Sequence, residues 1–208
     1  MINSTRKRKQ HKESTFLLPA AGKRLIETSV SPITEIEELI IREKSWVQGA
    51  LWGEPRPGHP EGKVIHHIKE VLGNVDLATS DYKYQEQLRQ ITIIHDTFKY
   101  LEEISRPRRD WTKHHAVYAR RFAEQFIDDD AVLDVIEWHD EAFYTWRYLQ
   151  MGLEQKAEKR LAKLYDRIGD NMQLFYLFFK CDTQTGDKYQ QPVAWFEENI
   201  KGIDIVDF

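Results

Sequence analysis

Apolar side chains return at helical spacing along most of the chain, and no segment alternates as a half-buried strand would. Ile33, Ile36, Leu39 and Ile40, with Glu35, Glu37 and Glu38 between them, predict a helix from Ser31-Pro32 to about Leu51, capped by Ser31. Three prolines and three glycines between Gly53 and Gly62 then exclude regular structure and predict a rigid loop. The next helix carries Val64, Ile65, Ile68 and Val71 together with His66 and His67. Another holds Leu88 and Ile91, runs through His95-Asp96 and ends before Arg106-Pro107-Arg108-Arg109. Ala116, Ala119, Phe122, Ala123 and Phe126 form the stripe of a helix opening at Asp110 or Trp111, with His114 and His115 in its first turn. After three aspartates, Val132, Val135, Ile136 and Trp138 mark a helix that closes on His139-Asp140-Glu141. Glu154 to about Cys181 reads as one long helix or two short ones, and Val193 to Phe196 as a short surface helix behind Pro192. The pattern predicts an all-α fold, a compact single-domain helical bundle over residues 31–208.

Composition narrows the function classes. The 208 residues are 41% hydrophobic and 12% aromatic, enough for one sizeable core. A net charge of -4 argues against general nucleic-acid affinity, and no apolar run approaches the ~20 residues of a membrane span. The exception is the start, where Arg6, Lys7, Arg8, Lys9 and Lys12 make residues 1–30 a basic tail, expected to be disordered and open to a role on acidic surfaces or nucleic acid. Phe16-Leu17-Leu18 is interrupted by Pro19, so no secretory signal is expected. The single cysteine, Cys181, rules out an internal disulfide and reads as a core thiol in a cytoplasmic protein.

Candidate chemistry appears where the apolar runs stop. His67, His95-Asp96, His114-His115, His139 and Asp182 each lie on or directly after an aliphatic or aromatic stretch. A buried ionised carboxylate costs several kcal/mol unless it is paired or bound to a metal, so the His95-Asp96 doublet behind Ile91, Ile93 and Ile94 implies a partner. Consecutive helix residues diverge by about 100°, so the doublet cannot clamp an ion from one face. Other segments must complete the site.

The order His67, His95-Asp96, His115, His139, Asp182 resembles the HD superfamily of metal-dependent phosphohydrolases over roughly residues 58–188. Pro60-Glu61-Gly62 before His67 is similar to the family's opening segment. His95-Asp96-Thr97-Phe98-Lys99 is similar to its doublet with a following lysine, and Asp182 to its distal aspartate. The resemblance implies one tightly held metal on His67, His95, Asp96 and Asp182, with His115 and His139 either lining the substrate side or holding a labile second ion that Asp96 bridges. His66 and His114 adjoin two of these ligands and are alternatives to them. The family's small residue between doublet and lysine is Phe98 here, which would narrow the cleft or change the substrate. Relatives that hydrolyse ppGpp carry Glu-Asp where this chain has Lys99-Tyr100, which disfavours that activity.

Mixed imidazole and carboxylate ligands suit Mn, Fe, Co, Ni or Zn better than Mg. Such an ion lowers the pKa of bound water and polarises a phosphoryl oxygen, so no serine or cysteine nucleophile is required. The expected function is a metal-dependent phosphohydrolase acting on a nucleotide or other small phosphate ester, with Asp96, Lys99, His115 and His139 as its catalytic groups. Lys63, Lys99, Arg106, Arg108 and Arg109 are candidates for binding the phosphate, and Asp140 or Glu141 for relaying a proton. Two other readings share these residues: a di-iron oxygenase of similar ligand set, and a non-catalytic scaffold in which the metal is structural.

Overall fold

The computed structural model describes residues 19–57, 59–105 and 111–208; the expectations placed on residues 1–18 and on Arg106, Arg108 and Arg109 lie outside them. Among the described residues there are twelve α-helices, two 3-10 turns and no strand. The all-α expectation therefore holds, and no helix is long and apolar enough to cross a membrane.

The first correction concerns the tail. Residues 20–30 were assigned to it, but Ala20–Val30 is a helix, α1, whose Ile26 and Val30 are buried against α4 (Val64–Ala78). Ser31 does not cap the following helix; it closes α1 in a left-handed conformation (φ 45°), and Thr34 takes the capping role by accepting from the Glu37 amide at 3.2 Å. The helix expected from 31 to 51 is two, α2 (Glu35–Ile40) and α3 (Lys44–Ala50), with Ile33 and Leu39 exposed. What holds this corner is a buried ion pair. Arg89 donates to both Glu37 oxygens at 2.9 Å, and its second terminal nitrogen also reaches the carbonyls of Val30 and Ser31 at 3.2 Å.

Four helices surround the centre: α4, α5 (Tyr82–Ile94), α8 (Asp130–Trp138) and α11 (Met172–Thr183), packed pairwise on one another except for α4 against α8. Their facing sides are closed by Ile65, Ile68, Ile91, Ile94, Val132, Ile136, Phe175 and Phe178, all essentially without solvent contact. Helix α5 stops at the doublet instead of running through it. Thr97 turns its hydroxyl onto the Ile94 carbonyl at 2.8 Å, and residues 95–98 form a turn into α6 (Lys99–Ser105). Gly49 lets α3 lie against that turn, since a Cβ there would sit 1.5 Å from the Thr97 carbonyl oxygen. The Trp46 indole, donating to the Ile93 carbonyl at 2.6 Å, fixes the same contact.

The remaining elements shield this centre. A 3-10 turn (Trp111–Lys113) leads into α7 (His115–Ala123), which packs on α6 and α8. Helix α9 (Glu141–Gln150) has no counterpart in the sequence reading; it pairs with α10 (Glu154–Ile168), and of the two alternatives for Glu154 to Cys181 the chain takes the pair of helices, α10 and α11. The last helix, α12 (Gln191–Asn199), is less superficial than expected, because Phe196 is fully buried and stacks on Tyr176.

Candidate metal centre

Each helix delivers its ligand from a defined place. His67 lies in the first turns of α4, His95 and His139 are the C-terminal caps of α5 and α8, His115 opens α7, and Asp182 lies at the end of α11. Asn74 of α4 donates to the carbonyls of Cys181 and Gln184 at 2.8 and 2.9 Å, which clamps the end of α11 and holds Asp182 opposite His67. Four helix ends and one helix face thus meet in one buried volume. His67, His95, Asp96, His115 and His139 are all buried there.

Asp96 stands in the middle and points its two oxygens different ways. Its Oδ2 lies 3.4 Å from His95 Nε2 and 3.7 Å from His67 Nε2, while Asp182 Oδ1 is 2.8 Å from His67 Nε2 and 3.6 Å from His95 Nε2. Its Oδ1 lies 3.4 Å from His115 Nε2 and 3.7 Å from His139 Nε2. Asp140 joins that second group through Oδ2, at 3.4 Å from His115 Nε2 and 3.6 Å from His139 Nε2. Donor atoms about 2.1 Å from a common tetrahedral centre are roughly 3.4 Å apart, so most of these separations are those of atoms arranged around a shared cation.

The tautomers point the same way. His95 Nδ1 donates to the Thr92 carbonyl and His139 Nδ1 to the Ile136 carbonyl, each at 2.9 Å. His115 Nδ1 is held by Glu102 at 2.5 Å. The Thr185 hydroxyl gives its proton to the Asp182 carbonyl at 2.7 Å, which leaves its oxygen to accept from His67 Nδ1 at 3.4 Å. All four imidazoles therefore have Nδ1 engaged from outside and turn Nε2 inward, the arrangement of histidine ligands ordered by outer partners; without a metal, His67 Nε2 donates to Asp182 Oδ1 at 2.8 Å. His115 Nε2 and His139 Nε2 face each other at 3.3 Å, and two lone pairs so placed repel unless a cation or proton lies between them. His95 Nε2 and Asp96 Oδ1 are buried polar atoms without a hydrogen-bond partner, a state that a metal relieves. The buried His and Asp groups fit a metal ion.

Electrostatics fit the same picture. Burial alone would raise Asp96, but the Lys99 ammonium and His95 hold it well below the usual carboxylate range; Asp182 is likewise held down, against burial, by Lys188 and His67. Lys99 Nζ lies 2.5 Å from Asp96 Oδ2, and Lys188 Nζ 3.0 Å from Asp182 Oδ1. Burial would lower His95, yet the Asp96 and Asp182 carboxylates outweigh it and raise the imidazole to about 9. His67 goes the other way, to about 4, through burial and the nearby Lys188.

Several sequence expectations are refined. His66 is only half-buried, and His67 is the residue in the cluster. His114 is the cap of α7, accepting from the Ala116 amide at 3.3 Å through Nδ1, so its Nε2 is not a lone-pair donor as that of His115 is. Phe98 does not narrow the cleft; it is buried against Phe122 of α7. Lys63 is exposed at the N-cap of α4, whereas Lys99 lines the cleft beside Asp96. Glu141 is engaged by Arg160 at 2.6 Å from both of its oxygens, away from the cluster. The residues the sequence did not reveal are Glu102, Lys188 and Thr185, together with the ligand-like position of Asp140. No family model, curated protein or solved structure matches the chain. The helical fold and its His/Asp cluster are compatible with the HD-type resemblance.

Proposed function

We propose that the protein is a metal-dependent phosphohydrolase acting on a small phosphate ester. The observation that carries this reading is the sharing of Asp96: one oxygen faces His67, His95 and Asp182, and the other faces His115, His139 and Asp140. Two ions of the transition series, Mn, Fe, Co, Ni or Zn, held on these two sets would supply an activated water and charge neutralisation for phosphoryl transfer.

The chain's own residues do the rest. The outer partners Thr92, Ile136, Glu102 and Thr185 fix each imidazole so that Nε2 faces inward. Lys99, raised above an ordinary lysine because Asp96 and Asp140 outweigh its burial, stays a cation at the cleft wall and can pair with a phosphoryl oxygen. His115 and His139 lie on the side of Asp96 away from Lys99. The oxygenase reading uses the same ligands and differs in requiring iron.

The test is elemental analysis of protein purified without chelators, then a phosphatase and phosphodiesterase screen with Mn, Ni and Co added back. Turnover that depends on added metal and is lost in His95→Ala and Asp96→Ala is the expected result. Coloured, iron-containing protein with no turnover of any ester would assign the site to oxygen chemistry, and full metal occupancy in both variants would remove the basis for a site at the doublet.

A further inference from the structure

The cluster opens on one side into a cleft walled by residues of the loop segments 53–57 and 59–62. Trp52, Arg56, His59 and Glu61 line it together with His67, Asp96 and Lys99, Glu61 being engaged by His59 at 3.0 Å. The loop is held tightly: Arg56 and His59 exchange both backbone hydrogen bonds at 3.0 and 2.8 Å, and the Trp52 carbonyl accepts from the Val64 amide at 2.9 Å. Gly53 permits the turn, with φ at +113° and the Gly62 carbonyl oxygen 2.5 Å from where a Cβ would be.

The cations around the site are not equivalent. Lys99 lines the cleft with its ammonium on Asp96 Oδ2, an oxygen that a metal would share, while Lys188 is paired with Asp182. Arg56 is exposed, its guanidinium 5.9 Å from the Trp52 ring centroid, and among the described residues no carboxylate pairs with it. A guanidinium presents its donors as a planar fork that matches two oxygens of one phosphate, and stacking on an aromatic face leaves that fork available.

We propose that Arg56 forms, with Lys99, a subsite for a terminal phosphate dianion, so that the cleft takes phosphate monoesters in preference to diesters. This rests on the hydrolase reading and names its substrate class. A monoester phosphate carries about -1.5 to -2 charge near neutral pH and three unsubstituted oxygens, which two cations lining one cleft can neutralise. A diester carries one charge and a second substituent. Arg56 and Lys99 line the same cleft, and three unsubstituted oxygens let a monoester phosphate meet both, whereas a diester phosphate has two.

The experiment is calorimetric binding of inorganic phosphate and of dimethyl phosphate to the metal-loaded full chain, wild type beside Arg56→Gln and Arg56→Lys. In parallel, turnover of p-nitrophenyl phosphate is compared with that of bis(p-nitrophenyl) phosphate. The wild type is expected to bind inorganic phosphate at least about tenfold more tightly than dimethyl phosphate. Arg56→Gln should weaken phosphate about tenfold while moving dimethyl phosphate less than threefold, Arg56→Lys should recover part of the loss, and the monoester-to-diester ratio of kcat/KM should fall about tenfold in Arg56→Gln. Phosphate affinity within threefold of wild type in Arg56→Gln, equal weakening of both probes, or no binding of either, overturns the subsite. Arg56-dependent phosphate binding in a protein that turns over neither ester sinks the hydrolase reading and leaves the terminal-phosphate subsite standing.

Discussion

Glu102 shows how much of a site can rest on a residue that touches no substrate. Its carboxylate takes both the backbone amide of His115 at 3.2 Å and the ring Nδ1 at 2.5 Å, and the pairing with His115 pulls it down to about 2 against the effect of burial. Glu102→Gln should free the His115 ring to exchange tautomers, and outer partners of this kind typically carry 10- to 100-fold in metal affinity or activity. Metal titration should show that loss in the ion held by His115 and His139 only. Loss of the ion held by His67 and His95 as well would mean that the two ligand sets are not separate. Protonation gives a second prediction at this scale. In chelator-treated protein His95, raised from 6.5 to about 9 by the Asp96 and Asp182 charges, contributes stability that is fully present below pH 6.5 and is lost as pH rises through 9, on the order of 3 kcal/mol. Metal replaces that proton, so the rise in Tm on adding Mn should grow from pH 6.5 to 9. A constant rise across that range contradicts the assignment of His95 as a ligand. His67, His95, Asp96, His115, His139 and Asp182 were legible in sequence because each ends or interrupts an apolar run. Glu102 and Lys188 were not, because a charge on a short amphipathic segment reads as solvated until the fold shows what it faces.

At the scale of elements, the doublet is placed by helices that carry no ligand. Helix α3 reaches the 95–98 turn only because position 49 has no side chain, so Gly49→Ala must push α3 off Thr97. A cost of about 3 kcal/mol or more is expected from this overpacking, together with weakened metal binding, since the same turn carries Asp96. A denaturation midpoint unchanged from wild type would show that α3 does not set the turn. Arg89→Met tests the other corner: it strands Glu37 in the core, and breaking a buried pair typically costs about 3 to 5 kcal/mol. Chemical denaturation should register that loss while metal stoichiometry stays unchanged, because Arg89 faces α1 and α2 rather than the cluster. The same pair explains a misreading. Glu37 stands between Glu35 and Glu38 and the apolar positions of what reads as one helix, and nothing local reveals that its partner lies 52 residues away. Helix α1 was hidden by its basic surroundings and short apolar face, and α9 because its buried side is built from Glu141, Ala142 and Thr145 rather than from large aliphatic residues.

For the whole molecule, six candidate ligands, suggested by where the apolar runs stop and by the likeness to the HD pattern, converge on one site, which composition alone would not have required. The all-α class followed from the 3.6-residue period, and the convergence from where each period stops. What the sequence understated is the second half of the site. Two extra imidazoles implied a labile ion leaning on the bridge, but Asp140 gives that half its own carboxylate beside His115 and His139, and Lys99 and Lys188 stand on the carboxylates of the first half instead. The central claim is that Asp96 joins two distinct ligand sets, and the most direct measurement is metal titration of chelator-treated wild type beside His95→Ala and a His115→Ala, His139→Ala double variant. The account predicts two equivalents in the wild type and one in the double variant, with His95→Ala losing the ion that the double variant keeps. One equivalent in the wild type, abolished alike by either set of substitutions, would contradict it and place all the histidines around a single ion.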